Sequence, residues 1–332
     1  MNDLSALKST WHDQLRDFFD GSGDLSVRAG AELRCSDPFS VDAGLPGLRA
    51  TLAASLHGLE RVAHVCAFGR SKFDPRQPQH REGRLLIATM GTYRGRFEKA
   101  LFGIPATSAP VDLRFCDVHQ IEDDQIVASW CLIDLLDLAR QAGVYPLAPM
   151  LGASGPWPNP PMNGTNMTCD PGAGQAGFDT VMAMHEALLS FDGKSLDSMD
   201  HAAFWTEEFD WCGPAGIGTT RGLAEFRAHH QIPFLTGFPD RNGAGHYVRI
   251  GDGDVVVTGG WPSVVGTHQG EWLGLPPTGK RIEMRVMDFY RLDGGRIAQN
   301  WVPIDIPHML SQMGVDVWAR IRHLAGDPRR TL

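Results

Sequence analysis

Apolar residues in the C-terminal half follow two different periods in succession. Over 178–189 they recur three and four positions apart, with Val181, Met184, Leu188 and Leu189 on one side, which predicts an amphipathic helix. A short second helix is expected over 195–204, with Ser198 or Asp200 near its cap, and a third over 221–234, ended by Gly237 and Pro239. A short strand over 209–212, closed by Gly213-Pro214, lies between them. From residue 246 onward β-rich runs predict strands over 246–250, 255–261, 282–292 and 296–305. Gly/Asp turns at 251–254 and 293–295 join them as hairpins, and a last helix is expected over 307–313. Helices followed by an antiparallel meander make an α+β domain, with the helices on one side of a curved sheet.

The N-terminal half fits the same plan less clearly, with a helix over 4–19 and strands over 84–92, 111–121 and 125–134. Sliding the chain by 171 positions lays 95–144 over 266–315 without a gap, and 13 of the 50 positions are identical. The identities include Arg114/Arg285, Asp117/Asp288, Trp130/Trp301 and Asp134/Asp305. Composition alone would give roughly three, so the pattern is a duplication. The expected organisation is one domain over 1–145, a linker over 146–177 and a second domain over 178–332. Pro and Gly dominate the linker, including Pro156-Trp157-Pro158-Asn159-Pro160-Pro161, which predicts neither a long helix nor a central strand. The formal G-x-G-x-x-G at Gly172, Gly174 and Gly177 has no strand before it, so it is expected to be linker rather than a dinucleotide-binding turn.

Charge and cysteine usage narrow the partners. The 332 residues carry 30 Lys+Arg against 39 Asp+Glu, a net charge of -9, with no basic stripe in either half. Nucleic acid and an anionic membrane surface are therefore not expected. No C-x-x-C joins any two of the 6 cysteines, so neither a zinc knuckle nor a disulfide framework is expected, which points to a reduced, cytoplasmic setting. No apolar run approaches the ~18 residues of a membrane span. The polar start lacks the apolar stretch of a signal peptide, so the sequons at Asn163 and Asn166 have no secretory context.

The run GTHQGEWLGLPPTGK over 266–280, followed by DFYRLDGGRI over 288–297 with Trp301 and Asp305, resembles the SnoaL-like polyketide cyclase family of the nuclear-transport-factor-2-like superfamily. The resemblance covers about 237–315, is weaker over 178–233, and in the first half is clear over 95–144, where Gly103-Ile104-Pro105-Ala106-Thr107 repeats the turn. It implies two tandem cone-shaped α+β barrels, each with a ligand pocket at its open end. Single-domain members pair through their sheets, so an intramolecular pseudo-dimer is expected, with a further homodimer left open. The family is similar in using one pocket Asp as general acid and base, without metal or cofactor. That role maps first to Asp305 and second to Asp288.

Strand alternation supports a polar group inside an apolar cone. It places Met284, Val286, Asp288 and Tyr290 on one face of 282–292, and puts Trp301 on a face with Gln299, Pro303 and Asp305. A carboxyl in apolar surroundings has its pKa raised and can move protons near neutral pH. Equally, Asp305 has the position of a helix cap, and Asp288 could be paired with Arg285 or Tyr290. Trp211, Trp261, Tyr290, Trp301, His229 and His268 are the candidate walls for an apolar or aromatic ligand. The 171-residue offset puts Met90 and His119 where the second half has Trp261 and Tyr290, so the second half is expected to hold the working pocket. The expected function is a cofactor-independent isomerase, lyase or cyclase acting on a small carbonyl compound. A non-catalytic ligand-binding or scaffold protein is the alternative. Water activation of the epoxide-hydrolase kind is a weaker one, because Arg285 lies three residues from Asp288 and on the other face.

Overall fold

The computed structural model describes residues 4–159 and 167–326. Asn163, Asn166 and Pro160-Pro161 lie outside the described residues. The first half runs α1 (Leu4–Asp20), β1 (Val27–Cys35), α2 (Gly44–Ser55), β2 (Leu56–Arg70), β3 (Leu85–Phe97), β4 (Pro110–Glu122), β5 (Gln125–Ile133) and α3 (Leu135–Gln141). The second half opens with α4 (Pro171–Leu189), a 3₁₀ turn (Leu196–Met199), α5 (His201–Phe204), β6 (Trp205–Cys212) and β7 (Thr219–Arg221). A continuous helical stretch follows: α6 (Gly222–Phe226), a π-helical turn (Arg227–Gln231) and α7 (Ile232–Gly237). Then come β8 (Asn242–Gly243), β9 (Val248–Asp252), β10 (Val255–Thr267), β11 (Arg281–Asp293), β12 (Arg296–Trp301), α8 (Ile306–Gln312) and α9 (Val317–Leu324). No described helix is long and apolar enough to cross a membrane.

The two sheets repeat one topology. The first is ordered β1-β5-β4-β3-β2, and the second β7-β6-β12-β11-β10-β8 with β9 also on β10. In each, the strand that follows the opening helix pairs parallel with the last strand, β1 on β5 and β6 on β12, and the other pairings are antiparallel. Side chains alternate between two hydrophobic environments. On β4, Val111, Leu113, Phe115 and Ile121 face the helices, while Cys116 and Val118 join a core between the two sheets. On β11, Ile282, Met284, Val286, Tyr290 and Leu292 face the helices, and Met287 and Phe289 enter the same shared core. There Trp130 of the first half stacks on Tyr247 of the second, ring centres 4.3 Å apart at 17°. A buried ion pair also ties the halves, with Lys8 Nζ 2.8 Å from Asp252 Oδ2.

Helix α4 begins seven residues before the apolar periodicity does. Asp170 caps it by accepting from Ala173 N, and Pro171 opens its first turn, so the G-x-G-x-x-G lies inside a helix rather than in a linker. The glycines there serve close packing. A Cβ on Gly174 would come within 2.4 Å of the Gly251 carbonyl, so only glycine lets the helix lie this close to β9. Helix α2 escaped the sequence because its GLPGLRATLAAS run has little polar contrast.

Candidate functional site

Asp288 sits on the helix-facing side of β11, between Val286 and Tyr290 along that face and directly across from Thr258 of β10. Tyr290 and Asn300 are the polar neighbours that favour its charged form, and among the described residues no lysine or arginine forms an ion pair with it. Burial outweighs those neighbours and pushes the carboxyl up to about 7. Asp288 is thus poised to hold or release a proton at neutral pH.

Tyr290 continues the polar line. It is 3% exposed, and its hydroxyl lies 2.9 Å from His185 Nε2 on α4. The His185 ring is 5.4 Å from that of His246. Burial first, then Arg249 and Arg76, lowers the His185 pKa to about 4, so the ring is neutral at pH 7. Arg76 belongs to the first half. The connection between β2 and β3 reaches across to the second half, where Asp74 accepts from His246 N at 3.0 Å, Lys72 N donates to Arg249 O at 2.8 Å, and Gln77 Nε2 donates to Ala244 O at 2.7 Å. His185, Asn300, Thr258 and His246 were not singled out from sequence. His185 carried a usable signal, standing four residues after the inward-facing Val181.

The proposed wall residues do not all gather here. Trp211 lies in the helix-facing core of the second half and stacks on His230, centres 3.8 Å apart at 17°, with Phe226 and Phe234 around the pair. His229, one position earlier on the π-helical turn, is half-buried outside this stack. His268 is fully buried, with Nδ1 3.1 Å from Thr278 Oγ1, and its backbone bonds close the 268–280 turn. Trp301 lies in the core between the sheets and donates from Nε1 to Pro158 O at 3.1 Å. Trp261 packs against that same core under the Arg285 guanidinium, 4.8 Å from its ring centre. A register shift between Gly260 and Val264 puts Gly259, not Trp261, in the place of Met90, since both face residues that the repeat equates, Met287 and Cys116. A cleft of about 280 Å³ opens in the first half, lined by His64, Met90, Thr92, Arg94 and Trp157 among others.

Asp305 stands apart from Asp288. It caps α8 by accepting from His308 N at 3.2 Å, receives Arg285 Nη1 at 3.0 Å, and accepts from Asp37 N of the first half at 3.2 Å. Burial pushes its carboxyl up to about 6, while Arg285 and His308 favour the charged form. The repeat makes the same contact in reverse. Asp134 caps α3 through Asp137 N, lies 3.3 Å from Arg114, and accepts from Ala215 N of the second half at 2.9 Å. Each half thus receives the other's backbone with the same aspartate. Asp37 and His308 complete a small titratable cluster around Arg285, with Asp37 held low first by His308.

The first half's counterpart of Asp288 is neutralised. Asp117, across from Thr89 on β3, lies 2.8 Å from Arg61, with Thr89 and His119 against it, and the pair is fully buried. Arg61 and His119 overcome burial and hold Asp117 well below the usual carboxylate range. Arg61 faces Tyr93 of β3, and Gly243 faces Val264 of β10. Tyr93 and Val264 in turn face Leu113 and Met284, which the repeat equates. Gly243 therefore takes the register position of Arg61, and the second cone lacks that cation.

Among solved structures, a putative polyketide cyclase from Streptomyces antibioticus, IdmH, shares 27% identity, covering 42% of this chain and 99% of its own, with a TM-score of 0.34. A putative SnoaL-like polyketide cyclase from Jannaschia sp. CCS1 shares 17% identity over 43% of this chain and 95% of its own, at 0.37. AclR, a putative hydroxylase from Streptomyces galilaeus, shares 19% over 41% and 85%, at 0.33. No match was found among curated proteins. The family model described as SnoaL-like polyketide cyclase matches residues 81–142 and 180–313, more than half of the chain and once in each half, which supports a cyclase- or isomerase-type function. With its two α+β halves of one sheet topology, the chain is a tandem member of the SnoaL-like polyketide cyclase family.

Proposed function

We propose that the second half is a cofactor-independent acid–base enzyme in which Asp288 moves a proton on a carbon next to a carbonyl. Its substrate would be a small, mostly apolar or aromatic carbonyl compound, and the outcome isomerisation, elimination or ring closure. The observation that carries this reading is the placement of Asp288 on the helix-facing side of β11, between Val286 and Tyr290 and across from Thr258, with no lysine or arginine paired to it among the described residues; burial there pushes its carboxyl up to about 7. A base with its pKa near the working pH is the most effective. Asp305 is assigned to the helix cap and the contact between halves, so Asp288 takes the role that sequence mapping gave first to Asp305. Trp211 and Tyr290 remain the aromatic wall of this site. The first half, its aspartate locked by Arg61, serves as the pairing partner in an intramolecular pseudo-dimer, with domains over 1–145 and 178–332 and a connector whose end is folded into α4.

The test is deuterium incorporation from D₂O into a panel of aromatic β-keto esters, followed by NMR. Exchange catalysed by the full chain and lost in Asp288→Asn supports the reading. Equal exchange by the two sinks it. A non-catalytic scaffold is a second reading, favoured by the Trp211–His230 stack that fills part of the cone. It predicts neither ester binding nor exchange.

A further inference from the structure

The line of polar groups beginning at Asp288 leads out of the apolar cone. Asp288 and Tyr290 are neighbours on one face of β11, with Thr258 of β10 across from Asp288, and the nearby carboxyl raises the pKa of the Tyr290 hydroxyl after burial has done so. On its other side that hydroxyl meets His185 Nε2 at 2.9 Å. His185 is half-buried and lies at the seam between the halves. Its charged and titratable surroundings come from several elements: Tyr290 of β11, His246 before β9, Arg249 of β9, and Asp74 and Arg76 from the β2–β3 connection of the first half. The seam is built for this arrangement. A Cβ on Gly245 would strike the Arg76 side chain at 2.7 Å, and Asp74 binds both the Arg76 side chain and His246 N.

We propose that Tyr290 and His185 form a proton relay that connects Asp288 to the seam between the halves, with the first half supplying part of the relay's outer wall. This rests on the reading of Asp288 as the proton-transfer group. The two ends of the relay are linked by hydrogen-bond direction. With Asp288 as carboxylate, the Tyr290 O–H points to it, and His185 donates from Nε2–H to the Tyr290 oxygen. Once Asp288 has taken a proton, its O–H donates to Tyr290, and the Tyr290 O–H turns to Nε2, leaving the His185 proton on Nδ1. To reset, Asp288 gives its proton to Tyr290, Tyr290 gives its own to Nε2, and Nδ1 releases its proton to solvent. Three bonds to hydrogen form and three break within the relay and the accepting water, and one proton leaves. A neutral imidazole can switch tautomers in this way, whereas a permanently charged one cannot.

The measurement is the tautomer of His185 in the full chain labelled with ¹⁵N-histidine, followed by NMR between pH 5.5 and 8.5. The expected result is a change from Nδ1–H to Nε2–H as pH rises, with the same midpoint as the Asp288 carboxyl read by ¹³C NMR. The change should vanish in Asp288→Asn and in Tyr290→Phe. A His185 that keeps one tautomer through this range overturns the relay, whether or not Asp288 titrates. A second arm uses His185→Ala in the β-keto ester assay, where turnover should fall about tenfold at unchanged KM and be restored by added imidazole. A tautomer change without any ester exchange keeps the relay and removes the catalytic reading. Ester exchange that depends on Asp288 but not on His185, with a fixed tautomer, does the reverse.

Discussion

Asp117 and Asp288 hold one position in two copies of a fold, each across from a threonine, yet Asp117 lies 2.8 Å from Arg61 while the register position that matches Arg61 in the second half belongs to Gly243. Two changed side chains, Gly243 for Arg61 and Tyr290 for His119, reverse the electrostatics. A buried carboxylate with a guanidinium against it stays charged, and one without it is driven toward the neutral acid. The same duplicated residue is therefore half of a buried ion pair in one half and, in the other, a carboxyl that burial pushes up to about 7.

Replacing Asp288 should separate activity from stability. Asp288→Asn is expected to lower ester exchange by at least a hundredfold, the lower end for loss of a general base. Its stability should move the other way. The folded-state pKa of Asp288 is raised to about 7, so the wild type loses stability as pH rises from the unfolded value through 7. The amide does not titrate, so the variant's advantage should grow by roughly 2–3 kcal/mol between pH 5 and pH 8. Urea unfolding at the two pH values checks this.

Asp305→Ala is expected to do the opposite. It removes a helix cap, a bond to Asp37 N and the partner of Arg285. A loss of about 2–4 kcal/mol follows from capping and ion-pair terms. Ester exchange per folded molecule should stay within a few-fold of wild type. A hundredfold loss with normal folding would return Asp305 to the catalytic role.

Lys8→Met should unfold the seam from the other end. It leaves Asp252 buried without its cation, although Phe68 N and Asp170 N still bond to it. Breaking one side of a buried pair costs about 3–5 kcal/mol, visible as an early unfolding transition in a thermal scan.

Arg76→Gln should raise the protonation midpoint of His185 above its value of about 4, because Arg76 is one of two cations that oppose a charged ring. Histidine ring shifts followed by NMR would report it. An unmoved midpoint would mean that the first half has no electrostatic hold on the relay.

Much of this was legible in the chain. The alternation over 282–292 puts Asp288 and Tyr290 on one face with Met284 and Val286, and that face is the helix-facing one; the shared turn at 103–107 and 274–278 marks the duplication. Trp261 misled because the shift between Gly260 and Val264 breaks a gapless offset, and hydrogen-bond register is not visible in residue identity. Trp301 misled for another reason. A tryptophan suits a ligand wall and a core between two sheets equally well, and the existence of that second core depends on how the halves meet. His185 and Tyr290 lie 105 positions apart, and no local pattern joins them.

The reciprocal contacts of Asp134 with Ala215 N and Asp305 with Asp37 N have a consequence for how such a molecule can change. In a homodimer of identical subunits each mutation is made twice, and a cation removed from one cone is removed from both. Here the joint is symmetric but the genetic template is not. Arg61 can stay where it holds Asp117 while the matching register position in the other half becomes Gly243. Covalent fusion leaves the two halves free to diverge at a position that identical subunits are obliged to share.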